Sequence, residues 1–140
     1  MRYYHPEYFQ PYEYLPPDVY NRLGDAGIIV MDARILWTLD QLRKTIGKPI
    51  LINNWKAGGQ YSQRGLRSDA GTGATYSQHR FGRAVDFDIS GVSAQEFRVD
   101  VMKNIYAKEL TYITRIEDKT SWVHLDCASV PGTEIVFFKP

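Results

Sequence analysis

The chain has 140 residues, a length typical of one domain that can bury a core without disulfides. Its 44% hydrophobic and 24% charged residues exclude a wholly disordered chain. Seventeen Lys+Arg against sixteen Asp+Glu leave a formal net charge of +1, so no overall field attracts nucleic acid or an anionic membrane. The single cysteine, Cys127, excludes an intramolecular disulfide and a multi-cysteine zinc site.

The N-terminal segment predicts an irregular arm rather than a targeting signal. Residues 1–17 are rich in tyrosine and proline and lack the apolar core of a signal peptide. We expect this arm to belong to a single domain that spans residues 1–140. No stretch approaches the roughly 18 apolar residues of a transmembrane helix. We therefore expect cytoplasmic synthesis, with any action outside the cytoplasm depending on lysis or on transport in a virion.

Two helices are predicted after the arm. Proline near the start and glycine at the end favour a short helix over 17–27. A longer helix is predicted over 32–46, where Asp32 can cap the first turn and Gly47 can end the last. Trp37 is expected in the core together with an apolar stripe at helical spacing: Ile35, Leu36, Leu39, Leu42 and Ile46.

The middle of the chain predicts two strands separated by a long polar loop. The strands are expected over Pro49–Trp55 and Arg83–Ile89. Between them, Lys56–Tyr76 is rich in Gly, Ser, Gln and Arg, and a loop of this length in a small domain is usually functional or disordered. Since the loop leads directly into a histidine motif, we expect it to rim a substrate cleft.

The C-terminal third predicts a helix, a hairpin and a last strand. The helix is expected over Ser93–Leu110, opened by a capping box of Ser93 with Glu96 and carrying Ile105 on its apolar face. The segments YITRIE and SWVHLDC flank a four-residue loop, 118–121, and EIVFF follows as a short strand.

The hairpin gathers polar side chains on one face. With a four-residue loop, Arg115 would pair with His124, although a slip of one residue would invert the faces. Strand alternation then places Cys127 on the core face, where we expect a buried and inert thiol. The opposite face collects groups suited to a site: Arg115, Glu117, Trp122, His124 and Asp126.

Two of the three histidines could take part in a metal site. His79 is followed seven residues later by Asp86, and His124 lies in the hairpin, whereas His5 sits in the arm. Two imidazoles and a carboxylate suffice for catalytic zinc, since three protein ligands leave a fourth position for water or substrate. On spacing alone, a capping histidine and a surface aspartate explain the pair as well.

The full motifs resemble those of a known family. SQHRFGRAVDFDI resembles the S-x-H-x-x-G-x-A-x-D-[IF] signature of zinc peptidases of the D-Ala-D-Ala carboxypeptidase type, which share a fold with lysostaphin-like peptidases and the hedgehog domain. WVHLD resembles the second motif of these peptidases. The resemblance implies Zn²⁺ held by His79, Asp86 and His124. We expect an α+β fold with a small central antiparallel sheet, helices on one face and a zinc cleft on the other.

The general base is where this sequence departs from the family. Many members place an acid three residues before the last histidine, and Ser121 occupies that position here. Glu117, Asp118 and Asp126 are the alternatives, each equally interpretable as a structural partner of a nearby arginine. We favour Asp126, as a catalytic residue or as a partner of the histidine, with Glu117 close behind.

An arginine from the long loop is the second expected catalytic group. The family uses an arginine before the first motif to steady a substrate carboxylate or the oxyanion. Lys56, Arg64 and Arg67 are the candidates, and arginine suits bidentate carboxylate binding better than lysine does.

The resemblance implies zinc-dependent hydrolysis of a peptide bond in the stem peptide of bacterial peptidoglycan. A monomeric phage or prophage wall hydrolase without nucleic-acid or membrane partners is the expected setting. The first alternative is a non-catalytic metal-binding or virion structural module, which the serine at position 121 favours. A weaker alternative is a nucleic-acid binder, against which the near-neutral charge counts. Its candidate cations are Lys56, Arg64, Arg67, Arg80 and Arg83.

Overall fold

The computed structural model of the chain describes residues 3–69 and 73–139. Within these ranges no helix has both the length and the apolarity needed to span a bilayer. The α-helices are Pro11–Tyr14 (α1), Pro17–Leu23 (α2), Ala33–Ile46 (α3) and Ala94–Met102 (α4). The strands are Ile50–Leu51 (β1), Ala84–Ile89 (β2), Arg115–Glu117 (β3), Val123–Asp126 (β4) and Val136–Phe138 (β5).

The central helix α3 forms as its sequence predicts. The Asp32 carboxylate accepts a hydrogen bond from the Arg34 amide at 2.9 Å, and Gly47 ends the helix with φ of 70°. Most of its apolar stripe is fully buried. Trp37 and Ile46 are the exceptions, since both are half-buried. Ile46 packs against the core, whereas Trp37 packs edge-on against Tyr112.

The sheet has the order β1-β2-β4-β3-β5 and confirms the α+β class. Its first four strands are antiparallel, whereas β5 runs parallel to β3. The parallel edge arises because residues 127–135 turn the chain back after β4, so the next strand on the far side of β3 takes the direction of β3.

The hairpin register differs by two residues from the predicted one. Arg115 pairs with Asp126, and Ile116 pairs with Leu125, because the loop after β3 is longer than four residues. A shift of two keeps every side chain on its predicted face. The polar face of the hairpin therefore survives the error.

Three predicted elements are shorter than expected. The first strand covers only Ile50–Leu51, and α2 ends at Leu23, before a 3₁₀ helix over Gly24–Val30. Helix α4 starts at the predicted capping box but stops at Met102. Asn104 adopts a φ of 59°, which breaks the helix, and Ile105 is consequently 54% exposed instead of buried.

The N-terminal arm packs on the domain and contains the short helix α1. The buried Asp40 carboxylate on α3 accepts hydrogen bonds from the Tyr4 hydroxyl and the Glu7 amide, both at 2.7 Å, and from the Tyr8 amide at 3.2 Å. Tyr14 is fully buried. These contacts fasten the arm to α3.

The core lies on one face of the sheet and the polar groups lie on the other. Val85, Phe87 and Ile89 of β2 belong to the buried apolar cluster that includes α3. Asp86 lies between them in sequence and therefore points to the opposite face. Cys127 also belongs to the apolar cluster, as alternation predicted.

Candidate metal centre

His79 is fixed by the local turn that carries it. It lies in the 3₁₀ turn Gln78–Phe81, which begins with the Ser77 hydroxyl accepting from the His79 amide at 3.3 Å. The ring nitrogen Nδ1 lies 2.8 Å from the Gly65 carbonyl oxygen. Nδ1 therefore donates its hydrogen, and Nε2 presents a lone pair to the cleft.

Two glycines allow this arrangement. Gly82 ends the turn with φ of 68°, and a Cβ there would collide with the carbonyl oxygen of Val30. A Cβ on Gly65 would collide with the carbonyl oxygen of Tyr14. Both positions require the absence of a side chain, because backbone approaches backbone.

Asp86 and His124 are brought together by strand pairing. They are direct partners across the antiparallel β2–β4 pair. Asp86 Oδ1 lies 2.7 Å from His124 Nδ1 and 3.2 Å from His79 Nε2. The two imidazole nitrogens are 3.3 Å apart. The three groups that the sequence motif singled out thus converge on one point.

The donor set fits a zinc ion. Zinc bound at about 2.0–2.1 Å in tetrahedral geometry holds its ligand atoms about 3.3 Å apart. Two of the three separations in this site, 3.2 and 3.3 Å, are close to that value. Ligand atoms from the whole set lie within 4.8 Å of one another. Asp86, His79 and His124 therefore suit one tetrahedral ion with one position left over.

Asp126 is placed to orient His124 rather than to reach the cleft. Its carboxylate accepts hydrogen bonds from His124 Nε2 at 2.9 Å, from Arg115 at 2.7 and 2.9 Å, and from the Ala128 amide at 3.1 Å. The side chain is 0% exposed. All of its acceptor positions are engaged, so of the two roles expected for Asp126, catalytic residue or partner of the histidine, its contacts fit the second.

Glu117 is the carboxylate that faces the centre. Its Oε2 lies 3.9 Å from His124 Nδ1, and its side chain is 12% exposed. Burial raises the pKa of Glu117 above its ordinary value, an effect that the charge of His124 partly offsets. Asp118 is directed elsewhere, because it accepts from the Lys119 amide and lies 3.8 Å from Arg98. Ser121, the position of the usual acid, is exposed.

The structure separates the two arginine candidates. Arg67 lines the cleft, with Nη2 4.0 Å from Asp86 Oδ2 and Nη1 3.4 Å from the Ser77 hydroxyl. Its buried Nε has no hydrogen-bond partner among the described residues. Arg64 instead pairs with Asp88 at 3.0 Å and stacks on Tyr61 at 4.2 Å.

The third loop candidate, Lys56, also lies away from the centre. Its ammonium sits over the rings of Tyr12 and Tyr20, at 4.4 and 5.1 Å. With Arg64 on Asp88 and Arg83 over the Phe81 ring, the cations proposed for nucleic acid are engaged in separate contacts.

The cleft has a volume of about 610 Å³. Among the described residues of the predicted loop, Arg67 and 73–76 line it, whereas Lys56 lies against the arm. Residues 70–72 of that loop lie outside the described residues. Its lining is mixed. Trp122 and Phe138 are apolar, and the polar lining residues include Arg67, Thr75, Ser77 and Gln78.

The electrostatics of the centre favour a charged Asp86 carboxylate beside a basic His124 imidazole. Burial opposes ionisation of Asp86, but the two histidines outweigh it and hold the pKa of that carboxyl well below its usual range. Burial likewise opposes the charged form of His124, yet hydrogen bonds with Asp126 and Asp86 raise its pKa to about 9. A divalent cation bound among Asp86, His79 and His124 would replace the protons that these groups share through their short contacts.

Sequence reasoning missed one residue of the cleft. Phe138 comes from β5, whose alternation places Phe137 in the core and Phe138 beside Glu117 on the site face. The alternation in EIVFF places these two residues on opposite faces, but the sequence does not indicate which strand β5 pairs with.

An α+β domain that gathers two imidazoles and a carboxylate at the foot of a polar cleft has the makeup of a single-metal hydrolase. The sequence profile of the Peptidase M15 family matches residues 18–126, which is most of the chain. The chain therefore belongs to the Peptidase M15 family, a zinc D-Ala-D-Ala carboxypeptidase-type family, and this membership implies a metallopeptidase. The resemblance drawn from the histidine motif is confirmed. No protein of curated function and no solved structure matches the chain.

Proposed function

We propose that the chain is a zinc-dependent peptidase that hydrolyses a peptide bond in the stem peptide of bacterial peptidoglycan. The observation that carries the proposal is the convergence of His79, Asp86 and His124 at separations suited to zinc, beside a cleft that also holds Glu117 and Arg67. Family membership supports the same reaction class.

Each group has a distinct role in this proposal. Zinc, when bound, polarises the scissile carbonyl and lowers the pKa of water. Glu117 accepts the proton of the attacking water and returns it to the leaving amine, a role that its position 3.9 Å from His124 allows through one water. Asp126 holds the His124 ring in orientation and leaves Nδ1 directed to the centre.

Arg67 supplies the positive charge of the cleft. Its Nη2, 4.0 Å from Asp86 Oδ2 in the lining of the cleft, offers a donor for a substrate carboxylate or for the developing oxyanion. Trp122 and Phe138 add apolar surface to the lining of the same cleft. A short peptide with a small side chain and a nearby carboxylate suits this combination, as in a stem peptide.

Incubation of the purified chain with peptidoglycan and with defined stem peptides tests the proposal. We expect new amino groups, with released D-alanine marking a carboxypeptidase and shortened cross-links marking an endopeptidase. His124→Ala should abolish the reaction, whereas His5→Ala should not, because His5 is an exposed residue of the arm. Stoichiometric zinc without hydrolysis of any of these substrates would overturn the proposal in favour of a non-catalytic metal-binding module.

The wider setting belongs to the same proposal. A monomeric phage or prophage wall hydrolase fits a small chain with this site, and lysis of a bacterial lawn by the intact chain but not by His124→Ala would support it. The serine at position 121 no longer favours the non-catalytic alternative, because Glu117 brings a carboxylate to the centre from the neighbouring strand.

A further inference from the structure

The C-terminal strand contributes to the centre although it lies outside the residues that the family profile matches. The match ends at residue 126, and β5 spans Val136–Phe138. β5 pairs in parallel with β3 so that Phe138 is the partner of Glu117. Partners in adjacent strands share a face of the sheet, which places Phe138 on the site face.

The Phe138 ring contacts both Arg115 and His124. The Arg115 guanidinium carbon lies 4.2 Å from the Phe138 ring centroid, within cation–π range. The His124 ring meets the same ring edge-on, with centroids 5.6 Å apart and an interplanar angle of 80°. Phe137, the preceding residue, packs against the core instead and anchors the strand.

These contacts hold Arg115, which is the outer end of a hydrogen-bonded series that runs through Asp126 to His124. Arg115 donates hydrogen bonds from Nε and Nη2 to the Asp126 carboxylate, and Asp126 also accepts a hydrogen bond from His124 Nε2. Asp126 is 0% exposed, but the Arg115 side chain is 27% exposed. Arg115 is therefore the most exposed member of the series, and the Phe138 ring packs against its guanidinium. Shielding from water strengthens each ionic bond behind it.

We propose that Phe138 is a positioning residue that fixes Arg115, and through Asp126 the His124 ring, so that β5 is a functional part of the centre. This inference rests on the proposed function for its link to zinc and to hydrolysis. Residues that orient a metal-binding histidine typically change metal affinity or activity by about 10–100-fold when they are altered.

The test compares ring-removing and ring-keeping variants of the full chain. Phe138→Leu keeps an apolar side chain but removes the ring, and Phe138→Tyr keeps the ring. We expect Phe138→Leu to lower zinc affinity, measured by competition with a chromogenic chelator, by about tenfold, with the thermal midpoint of the apoprotein within about 3 °C of the parent. Phe138→Tyr should stay within about twofold of the parent affinity.

Glu134→Ala is the control, because Glu134 is an exposed residue just before the same strand and does not line the cleft. It should leave zinc affinity unchanged. Equal zinc affinity and equal kcat/KM for Phe138→Leu and the parent would overturn the inference.

A double-mutant cycle isolates the route through Arg115, and Phe138→Met, which also removes the ring, replaces Phe138→Leu where the latter folds poorly. If Phe138 acts through Arg115, Phe138→Leu should change zinc affinity by less than about twofold in an Arg115→Lys background. If the two substitutions instead lower zinc affinity independently, so that their fold-changes multiply in the double variant, the inference is overturned. A parent that binds zinc but hydrolyses nothing would refute the proposed function, while the affinity comparison would still decide the role of Phe138.

Discussion

Arg64 and Arg67 are three positions apart in one loop, yet their guanidinium groups have different surroundings. Arg67 lines the cleft beside Asp86, and Arg64 is held by Asp88 and Tyr61. We expect Arg67→Ala to lower the rate of stem-peptide hydrolysis about 10²-fold or more with zinc still bound, since it removes charge aimed at the reacting groups.

Arg64→Ala is the matched comparison for that experiment. It should lower the thermal midpoint through the lost ion pair and ring contact, with a much smaller effect on the turnover of the folded protein. Zinc content and rate, measured together for both variants, distinguish these outcomes. Equal rates for Arg67→Ala and the parent would assign the oxyanion role to another group.

Glu117 makes the second prediction at the scale of one residue. Glu117→Gln preserves size but cannot accept a proton, so we expect kcat to fall about 10²–10⁴-fold with zinc retained. Ser121→Ala should leave kcat unchanged, because Ser121 is exposed although it occupies the position of the usual acid. A large loss in Ser121→Ala with none in Glu117→Gln would contradict this assignment. Steady-state kinetics on a defined stem peptide measures both.

Cys127 provides a prediction with a defined pH dependence. Burial raises the pKa of the thiol to about 11, and the Sγ atom lies 3.6 Å from the Arg83 carbonyl oxygen. Because the thiolate is the reactive form, labelling of the folded protein should be slow at pH 8 and accelerate as pH rises towards that value. The urea-unfolded protein should react rapidly at pH 8. Fast labelling of the folded chain would show that Cys127 is accessible.

At the scale of elements, the turn that carries His79 depends on Gly82. Gly82→Ala places a Cβ against the Val30 carbonyl in addition to the cost of a positive φ, so we expect a loss of about 3 kcal/mol or more in the free energy of unfolding. Gly47 also has a positive φ, 70°, but a Cβ there meets nothing within 4 Å. Gly47→Ala should therefore cost only about 1 kcal/mol. Urea denaturation measures both, and equal losses would contradict the collision.

The elements that the sequence predicts well are those with strong local signals. Helix α3 has a cap at Asp32, a stop at Gly47 and a regular apolar stripe, and its bounds follow from these residues. Helix α4 shows the limit, because Ile105 continues the apolar period while the backbone at Asn104 has already left the helix.

The candidate site was predictable for a similar reason, and only in part. The triad of His79, Asp86 and His124 followed from the resemblance of the two motifs to a known family, because spacing alone left it ambiguous, and its faces tolerate the error of two residues in register. The roles of Glu117 and Asp126 depend on burial and on which donors surround each carboxylate. Those are properties of tertiary packing, which the alternation of a strand does not contain.

At the scale of the whole molecule, the centre joins segments distant in the chain. His79 comes from a turn, Asp86 from β2 and His124 from β4, so zinc can bridge them only when the sheet is assembled. Zinc at about 100 times its dissociation constant should therefore stabilise the folded chain by about 2.7 kcal/mol, seen as a higher thermal midpoint. Chelation should reverse the shift.

Two histidine variants control this experiment. His79→Ala should lose most of the zinc-induced shift, whereas His5→Ala should keep it. Less than about one-tenth of an equivalent of zinc retained by the untagged parent after loading would refute the metal site itself, because a fitting three-ligand site binds one equivalent.

The position of β5 has a practical consequence for how the protein is handled. Phe138 and Lys139 line the cleft, so any polypeptide continuing beyond them emerges at its rim. A purification tag or a surface-immobilisation linker attached there would crowd the entrance of the proposed substrate. The arm, whose Tyr4 and Glu7 are bonded to Asp40 of α3, contributes no described residue to the lining of the cleft, so an attachment there should leave this entrance clear.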